Sequence, residues 1–201
     1  MKIKKLTILI LLASTAQFIV SCCDCVEPQN FEYTYDNFIA RNIDNSGIDP
    51  IIAVNDSIPK EAYGIRLEFS LKQIIAQANI GFSFSPRAYA WDCFCPPDVQ
   101  YLPKDTISSI VITTTNDFDN QHPKTSEVTE LFKVLSQGKY ITINDYTNHP
   151  GRIYYDAPVE EIVDVFLITP PEFIGEHSFK IDVTLSDSRV FSFTTKTIYL
   201  K

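Results

Sequence analysis

Hydrophobic and polar residues alternate along much of the chain. In 63–71 the large apolar and aromatic residues all stand at odd positions, with polar or small residues between them. Period two with one polar face is typical of a strand half-buried in an antiparallel sheet. Similar alternation is found at 31–35, 80–84 and 179–185, and strands are also predicted for 107–115, 140–143 and 163–168. The last of these is a more continuous apolar run, interrupted by Asp164, which predicts a central strand.

The C-terminal region predicts a hairpin. Residues 179–185 form one arm, the polar residues 186–189 form a turn, and 190–200 return as the second arm. The apolar residues of the second arm change parity, from Phe191 and Phe193 to Ile198 and Leu200. A change of face within one arm predicts a bulge or bend between these pairs.

One segment has a different spacing. Its apolar residues recur at i, i+3, i+4 and i+7, namely Val128, Leu131, Phe132 and Leu135. This spacing places them on one face of a helix. Ser126 is a suitable N-cap and Gly138 a suitable terminator. The sequence therefore predicts an α-helix at about 127–137, with Leu131, Phe132 and Leu135 buried.

These elements predict a mainly β protein. About seven to nine antiparallel strands with one short helix are typical of a β-sandwich, and we expect an immunoglobulin-like one. The alternative is a closed or half-closed barrel. Both readings place 31–201 in a single domain, as the length of the chain also suggests.

The first residues resemble a bacterial export signal. Three lysines precede the apolar stretch Leu6–Ala13, which is shorter than the roughly 20 residues that a membrane-spanning helix needs. The signal ends in Ile19-Val20-Ser21-Cys22, which resembles the lipobox of bacterial lipoproteins. The alternatives are a plain secretory signal with a coincidental cysteine and an uncleaved anchor.

The lipobox implies a particular organisation of the chain. Residues 1–21 would be the signal peptide, Cys22 the lipidated residue and 22–30 a lipidated tether. The acyl chains would hold the protein on the outer membrane of the cell envelope, since two chains already anchor a protein stably. Both a periplasm-facing and a surface-exposed orientation are open.

The chain is similar to a family of uncharacterised envelope lipoproteins from Bacteroides-type bacteria, whose chains also have about 200 residues. Besides the lipobox, the resemblance rests on Ile43-Asp44-Asn45-Ser46-Gly47, Ala62-Tyr63-Gly64-Ile65-Arg66, and the stretch from Ser109-Ile110-Val111-Ile112-Thr113 to Asp117-Phe118-Asp119. It implies a location in the envelope. It implies no activity.

Charge excludes one class of partner. The chain has 17 basic and 25 acidic residues, and three of the basic residues lie in the export signal, which leaves 14 against 25. Phosphate backbones repel so acidic a surface, so we expect no nucleic-acid partner. The six glycines are too dispersed to form a phosphate-binding loop.

Four cysteines remain if Cys22 carries lipid. Cys23 and Cys25 form one C-x-C pair, and Cys93 and Cys95 form the other. A bridge within a pair closes a small strained ring, so disulfides between the pairs are expected in an oxidising envelope. Free or redox-active thiols and a metal site are the alternatives, although zinc sites usually have a wider spacing.

Aromatic residues cluster around the second cysteine pair. Tyr89, Trp91 and Tyr101 would offer stacking surfaces to a sugar or peptide if they are exposed. The alternative is that they pack against the disulfides and contribute to the core.

No catalytic or metal-binding motif is present, and no cofactor is predicted. We therefore expect a non-enzymatic, lipid-anchored envelope protein that binds a glycan, a peptide or another envelope protein. The alternative is a hydrolase of glycans or of the cell envelope, with a carboxylate site that the sequence does not identify.

Overall fold

The computed structural model of this protein describes residues 29–74, 99–136, 138–149 and 151–201. Several predictions lie outside these residues. They are the export signal, Cys22 and most of the tether, the strand at 80–84, and the side chains of Cys23, Cys25, Tyr89, Trp91, Cys93 and Cys95.

The described part of the chain contains thirteen strands and one α-helix. The strands are β1 (Gln29–Asp44), β2 (Ile51–Ile52), β3 (Ser57–Ile58), β4 (Tyr63–Ile74), β5 (Val99–Pro103), β6 (Ile107–Thr114), β7 (Phe132–Ser136), β8 (Lys139–Thr142), β9 (Glu160–Leu167), β10 (Gly175–His177), β11 (Phe179–Leu185), β12 (Val190–Thr194) and β13 (Ile198–Leu200). The helix α1 is Ile143–Thr147, and two 3-10 turns lie at Lys60–Ala62 and Thr129–Leu131.

The strands form three sheets. The largest has the order β2-β1-β4-β9-β7-β8, and β5 pairs with the N-terminal part of β1. The second has the order β12-β11-β6, and the third β10-β13-β3. Most pairs are antiparallel, whereas β5 with β1 and β3 with β13 are parallel.

The large sheet and the β12-β11-β6 sheet share one hydrophobic core. Aromatic rings join them: Tyr63 of β4 stacks on Phe179 of β11 with centroids 5.4 Å apart, and Phe38 of β1 meets the edge of Phe193 of β12 at 6.0 Å. Every second residue of β4 from Tyr63 to Phe69 is buried at this interface. The alternation in the sequence is therefore the inner face of one layer of a sandwich-like arrangement.

The predicted class is confirmed: the protein is mainly β, with several antiparallel sheets and one short helix. Among the described strands, nine have four or more residues, within the predicted range, and β9 lies centrally between β4 and β7. The immunoglobulin-like form of the sandwich stays a prediction.

The predicted position of the helix is wrong. Residues 129–131 form a single 3-10 turn, and Phe132–Ser136 is strand β7. Phe132 and Val134 are buried, whereas Leu135 is 46% exposed, so the burial period is two. The backbone of β7 bonds to β9 and β8, and these hydrogen bonds along two edges outweigh a weak local preference for a helix. Gly138, with a φ of 75°, lies in the turn between β7 and β8 rather than at a helix end.

The predicted C-terminal hairpin is confirmed, including its change of face. β11 pairs with β12, and the chain then leaves that sheet to form β13 in another one. The parity change between Phe193 and Ile198 therefore marks a passage between sheets. Within the described residues, no helix is long and apolar enough to cross a bilayer.

Candidate functional site

A cavity of about 290 Å³ lies where β6 and β9 begin and β7 ends, beside α1. Its walls come from β1, β6, β7, β8, β9, α1 and the segment that follows α1. The apolar wall includes Ile107 and Ile141. The polar lining consists of Thr106, Ser136, Thr147, His149, Arg152 and Glu161, together with the tyrosines Tyr35 and Tyr146.

Glu161 is the central residue of this cavity. It is the second residue of β9, and its parity is that of the buried Val163 and Val165, so its side chain points toward the core. Only 6% of the residue is exposed. Charged side chains are rarely so buried unless they are paired.

Two tyrosine hydroxyls hold the Glu161 carboxylate. The Tyr35 hydroxyl donates to Oε2 over 2.9 Å, and the Tyr146 hydroxyl donates to Oε1 over 3.0 Å. Hydrogen bonds to an ionised acceptor are stronger than neutral ones. An ionised carboxylate has about four acceptor sites, so two tyrosines leave capacity for further donors.

Further tyrosines extend the cluster behind the cavity. The Tyr33 hydroxyl donates to the Arg152 carbonyl over 2.7 Å, and the Tyr33 ring meets Tyr154 edge to face at 5.4 Å. Burial, followed by the negative charge of Glu161, raises the pKa of Tyr33, Tyr35 and Tyr146 far above the ordinary value for tyrosine. The hydroxyls therefore stay protonated and act as donors.

His149 and Arg152 line the cavity at its solvent side. The His149 Nδ1–H donates to the Asp145 carbonyl over 2.5 Å. The other ring nitrogen, Nε2, takes no part in this bond. The Arg152 guanidinium lies 5.9 Å from the centre of the Tyr154 ring. Burial alone would lower the pKa of Arg152, but Tyr154 and Glu161 outweigh it and raise the pKa. The cavity thus combines a buried anion with a cation nearer the solvent.

Comparison with known families assigns the chain to one of them. The family described as Domain of unknown function (DUF5034) matches residues 37–196. The chain belongs to this family. No curated protein and no solved structure gives a significant match. The matched region of the DUF5034 domain includes Tyr146, His149, Arg152 and Glu161, whereas Tyr35 lies two residues before it.

The acidic lining of this DUF5034 cavity differs from the paired carboxylates of a glycosidase. A glycosidase uses two carboxyl groups that flank the scissile bond. Among the described residues that line the cavity, Glu161 is the only acid. The hydrogen bonds found for its carboxylate come from tyrosines, and His149 is bonded to a backbone carbonyl.

The sequence pattern did not indicate any of these residues as members of a site. Tyr101, the predicted stacking residue that the structure describes, lies on β5 with its ring stacked on Phe31 at 5.4 Å. It does not line the cavity. A signal for Glu161 did exist, because its parity continues the inward series of β9 toward the N-terminus. The predicted strand began at 163, which left this acid outside.

Two other polar clusters of the protein hold loops and strands in place through internal hydrogen bonds. Asp105 accepts hydrogen bonds from Thr34 and Arg189, while Asp119 accepts from the backbone N–H groups of Gln121 and His122. Within the part of the chain that the structure describes, no group of three His, Cys, Asp or Glu side chains is arranged to hold a metal ion.

Proposed function

We propose that this DUF5034 protein is a non-enzymatic, lipid-anchored envelope protein that binds a small ligand in the cavity around Glu161. One observation carries the proposal: a carboxylate that is 6% exposed lines an open cavity and retains free acceptor capacity. Burying a charge costs free energy that an apolar residue would not cost. Such groups in clefts are therefore candidates for function.

The envelope location rests on the sequence. The export signal at 1–21 and the lipobox at Cys22 direct the chain to the outer membrane, facing either the periplasm or the cell surface. β1 begins at Gln29, seven residues after Cys22, so the lipid would hold the start of the large sheet close to the bilayer. The membrane, through the lipid, is one partner. A glycan, a peptide or another envelope protein is the other.

The register of β5 on β1 supports disulfides between the two cysteine pairs and points to their connectivity. Partners in this parallel pair are seventy positions apart in the chain, from Gln29 with Val99 to Tyr33 with Pro103. Cys23 and Cys93 have this separation, as do Cys25 and Cys95. The described pairing brings together the segments that follow the two cysteine pairs, and the equal separation of the cysteines in the sequence suits the same register. We therefore propose the bridges Cys23–Cys93 and Cys25–Cys95.

Peptide mapping under non-reducing conditions tests this connectivity. The two cysteines of each pair are only two positions apart, so both bridges fall in the same peptides. Partial reduction and stepwise alkylation are therefore needed to tell the bridges apart. Bridges within a pair, the crossed connectivity, or free thiols at all four positions would contradict the proposal.

Ligand binding is tested by thermal unfolding of the full chain in lipid nanodiscs. Glycan and peptide fractions of envelope extracts are added separately, because a ligand that binds only the native state raises its stability. We expect one fraction to raise the melting temperature of the wild type and of Glu160→Gln, an exposed neighbour on β9, but not of Glu161→Gln. If no fraction stabilises the wild type, the proposed function is wrong.

Cys22→Ala tests the anchor. Cells grown with a clickable fatty acid should label the wild-type protein and leave the variant unlabelled. Cys23→Ala is the matched control and should label like the wild type. Labelling that persists in Cys22→Ala would show that the lipobox was assigned incorrectly.

A hydrolase of glycans or of the envelope is the second candidate, because His149 and Glu161 line the same cavity. It predicts release of new reducing ends or amines from the fraction that binds. Turnover that disappears in both His149→Gln and Glu161→Gln, with binding retained in the His149 variant, would favour the hydrolase.

A further inference from the structure

We infer that the cavity around Glu161 binds a neutral, hydroxyl-rich ring, that is, one pyranose unit of a saccharide. The inference rests on the proposed binding function and adds the chemical class of the ligand. It follows from the charge, the hydrogen-bonding groups and the size of the cavity.

Charge disfavours anionic ligands. The Glu161 carboxylate is buried and held in place by the hydroxyls of Tyr35 and Tyr146. A phosphate or carboxylate ligand placed against it would bring two anions together where water screens them little. Arg152 offsets part of this charge, but it lies nearer the solvent.

Charge also disfavours simple cations. Arg152 is close enough for its charge to be coupled electrostatically to Glu161, so an ammonium group or a metal ion would meet a second positive charge in the same cavity. Metal ligation would further require several oxygen ligands, whereas Glu161 is the only carboxylate among the described lining residues. A ligand without ionised groups avoids both repulsions.

The polar groups match a diol. Glu161 has acceptor capacity for ligand O–H groups, while Arg152 donates N–H groups to ligand oxygens. Hydroxyls of a sugar both donate and accept, so one sugar ring offers suitable partners to both residues. The hydroxyls of Thr106, Ser136 and Thr147 are further partners of this kind.

Shape and size agree with one ring. Ile107 and Ile141 supply an apolar wall for the C–H face of a pyranose. The volume of about 290 Å³ is at the lower end of the range of small-molecule sites. The cavity therefore suits a single sugar unit, with the rest of a longer glycan outside.

Saturation-transfer difference NMR of the full chain in nanodiscs tests the inference, with empty nanodiscs as the blank. The probes are the neutral methyl glycosides of glucose, galactose, mannose and N-acetylglucosamine. Glucose 6-phosphate and glucosamine carry a net charge, and the dipeptide alanyl-alanine is a zwitterion; these three are the ionised probes. We expect transfer to the ring protons of at least one neutral glycoside, and weaker or no transfer to the ionised probes.

Three variants locate the binding. Glu161→Gln removes the charge and should weaken binding of the neutral glycoside at least about tenfold, since a hydrogen bond to an ionised group is lost. Arg152→Gln changes an exposed side chain, so it should leave the fold undisturbed. It should weaken binding of the neutral glycoside by a smaller factor than Glu161→Gln does. Glu160→Gln, which is exposed on the same strand, should bind like the wild type.

Each contrary result has a distinct meaning. Binding of a neutral glycoside that is unchanged in both Glu161→Gln and Arg152→Gln would overturn the inference. Binding of glucosamine or alanyl-alanine in preference to every neutral glycoside, with loss in Glu161→Gln, would overturn the ligand class while the binding function stands. If no probe binds and no envelope fraction stabilises the wild type, both the inference and the proposed function fail.

Discussion

At the scale of single residues, two buried carboxylates of this protein are each held by identified hydrogen-bond donors. Glu161 has two tyrosine donors, and Asp105 has Arg189 and Thr34. Each arrangement leaves the protein sensitive to loss of one partner, because an unpaired buried group pays its full desolvation cost. Substitution of one partner therefore measures what a single hydrogen bond contributes to the free energy of unfolding.

Tyr35→Phe removes one hydroxyl from Glu161 and little else. We expect a loss of about 1.5–3 kcal/mol in the free energy of unfolding, because the hydrogen bond is made to a charged, buried acceptor. Urea unfolding at neutral pH measures it. Tyr155→Phe, at a tyrosine that is 53% exposed, is the control and should change the stability by less than about 0.5 kcal/mol. Equal effects of the two variants would contradict the assigned role.

His177 predicts a loss of stability in mild acid. Its ring is buried against Phe118 and Phe179, and its Nε2–H donates to the Phe173 carbonyl over 3.1 Å. Burial lowers its pKa in the folded state, so below about pH 6.5 the unfolded state binds the proton more readily. The contribution of neutral His177 to the free energy of unfolding is therefore complete above about pH 6.5 and is lost as the pH falls toward the pKa of the folded state.

His177→Phe should therefore reduce the dependence of unfolding free energy on pH below pH 6.5, by up to about 1.4 kcal/mol per pH unit. Urea unfolding at pH values from 7.5 to about 5 measures the slope. The wild type, unfolded in the same series of buffers, is the reference for the slope. An unchanged slope in His177→Phe would contradict the prediction.

At the scale of elements, the segment at 127–136 shows how pairing partners decide local structure. The helical spacing of the apolar residues 128, 131 and 132 corresponds to a single 3-10 turn. After this turn the burial pattern changes to period two. Val128 and Thr129 are already bonded to Ile112 of β6. The chain is thus fixed at both ends as part of the sandwich, and a helix would leave the edge of β9 without a partner.

Phe132→Ala and Leu135→Ala distinguish the strand from the predicted helix. Phe132 is buried against Tyr63 and Phe179, so its truncation should cost about 3–5 kcal/mol. Leu135 faces outward, so its truncation should cost less than about 1 kcal/mol. Chemical denaturation measures both. A helix with both residues on its buried face would give large losses for both.

At the scale of the whole molecule, a charged cluster ties the two main sheets together. Arg189, in the loop between β11 and β12, donates to the Tyr35 carbonyl of β1 over 2.6 Å and to Asp105 over 2.5 Å. Asp105 is 4% exposed. This contact lies next to the cavity, because Tyr35 also holds Glu161. The packing of the two layers and the position of the site are therefore coupled.

Arg189→Ala should cost about 2–4 kcal/mol, because it leaves Asp105 buried without its cation. Arg41→Ala is the matched control, since the ion pair of Arg41 with Glu68 is exposed and should contribute less than about 1 kcal/mol. Urea unfolding measures both. Losses of similar size would mean that Arg189 contributes no more than a surface ion pair.

The position of the cavity also follows from the long first strand. Tyr35 is six residues from the start of β1, which corresponds to about 20 Å at about 3.3 Å per residue. The loop after β1 lies at the far end of a strand of sixteen residues. In the proposed lipoprotein the cavity is thus on the half of the domain nearer the anchor.

The sequence by itself determined the class of the fold and most of its strands. A strand with one buried face imposes a period of two on its own residues, so 63–71 and 179–185 carry that information locally. The tertiary structure decided the rest. Residues 132–136 form a strand because β9 and β8 offer hydrogen-bond partners, and the cavity exists because Tyr35, Tyr146 and Glu161 meet across more than a hundred positions of the chain. Contacts between residues so far apart in the sequence depend on strand order and register, which the periodicity within one segment does not encode.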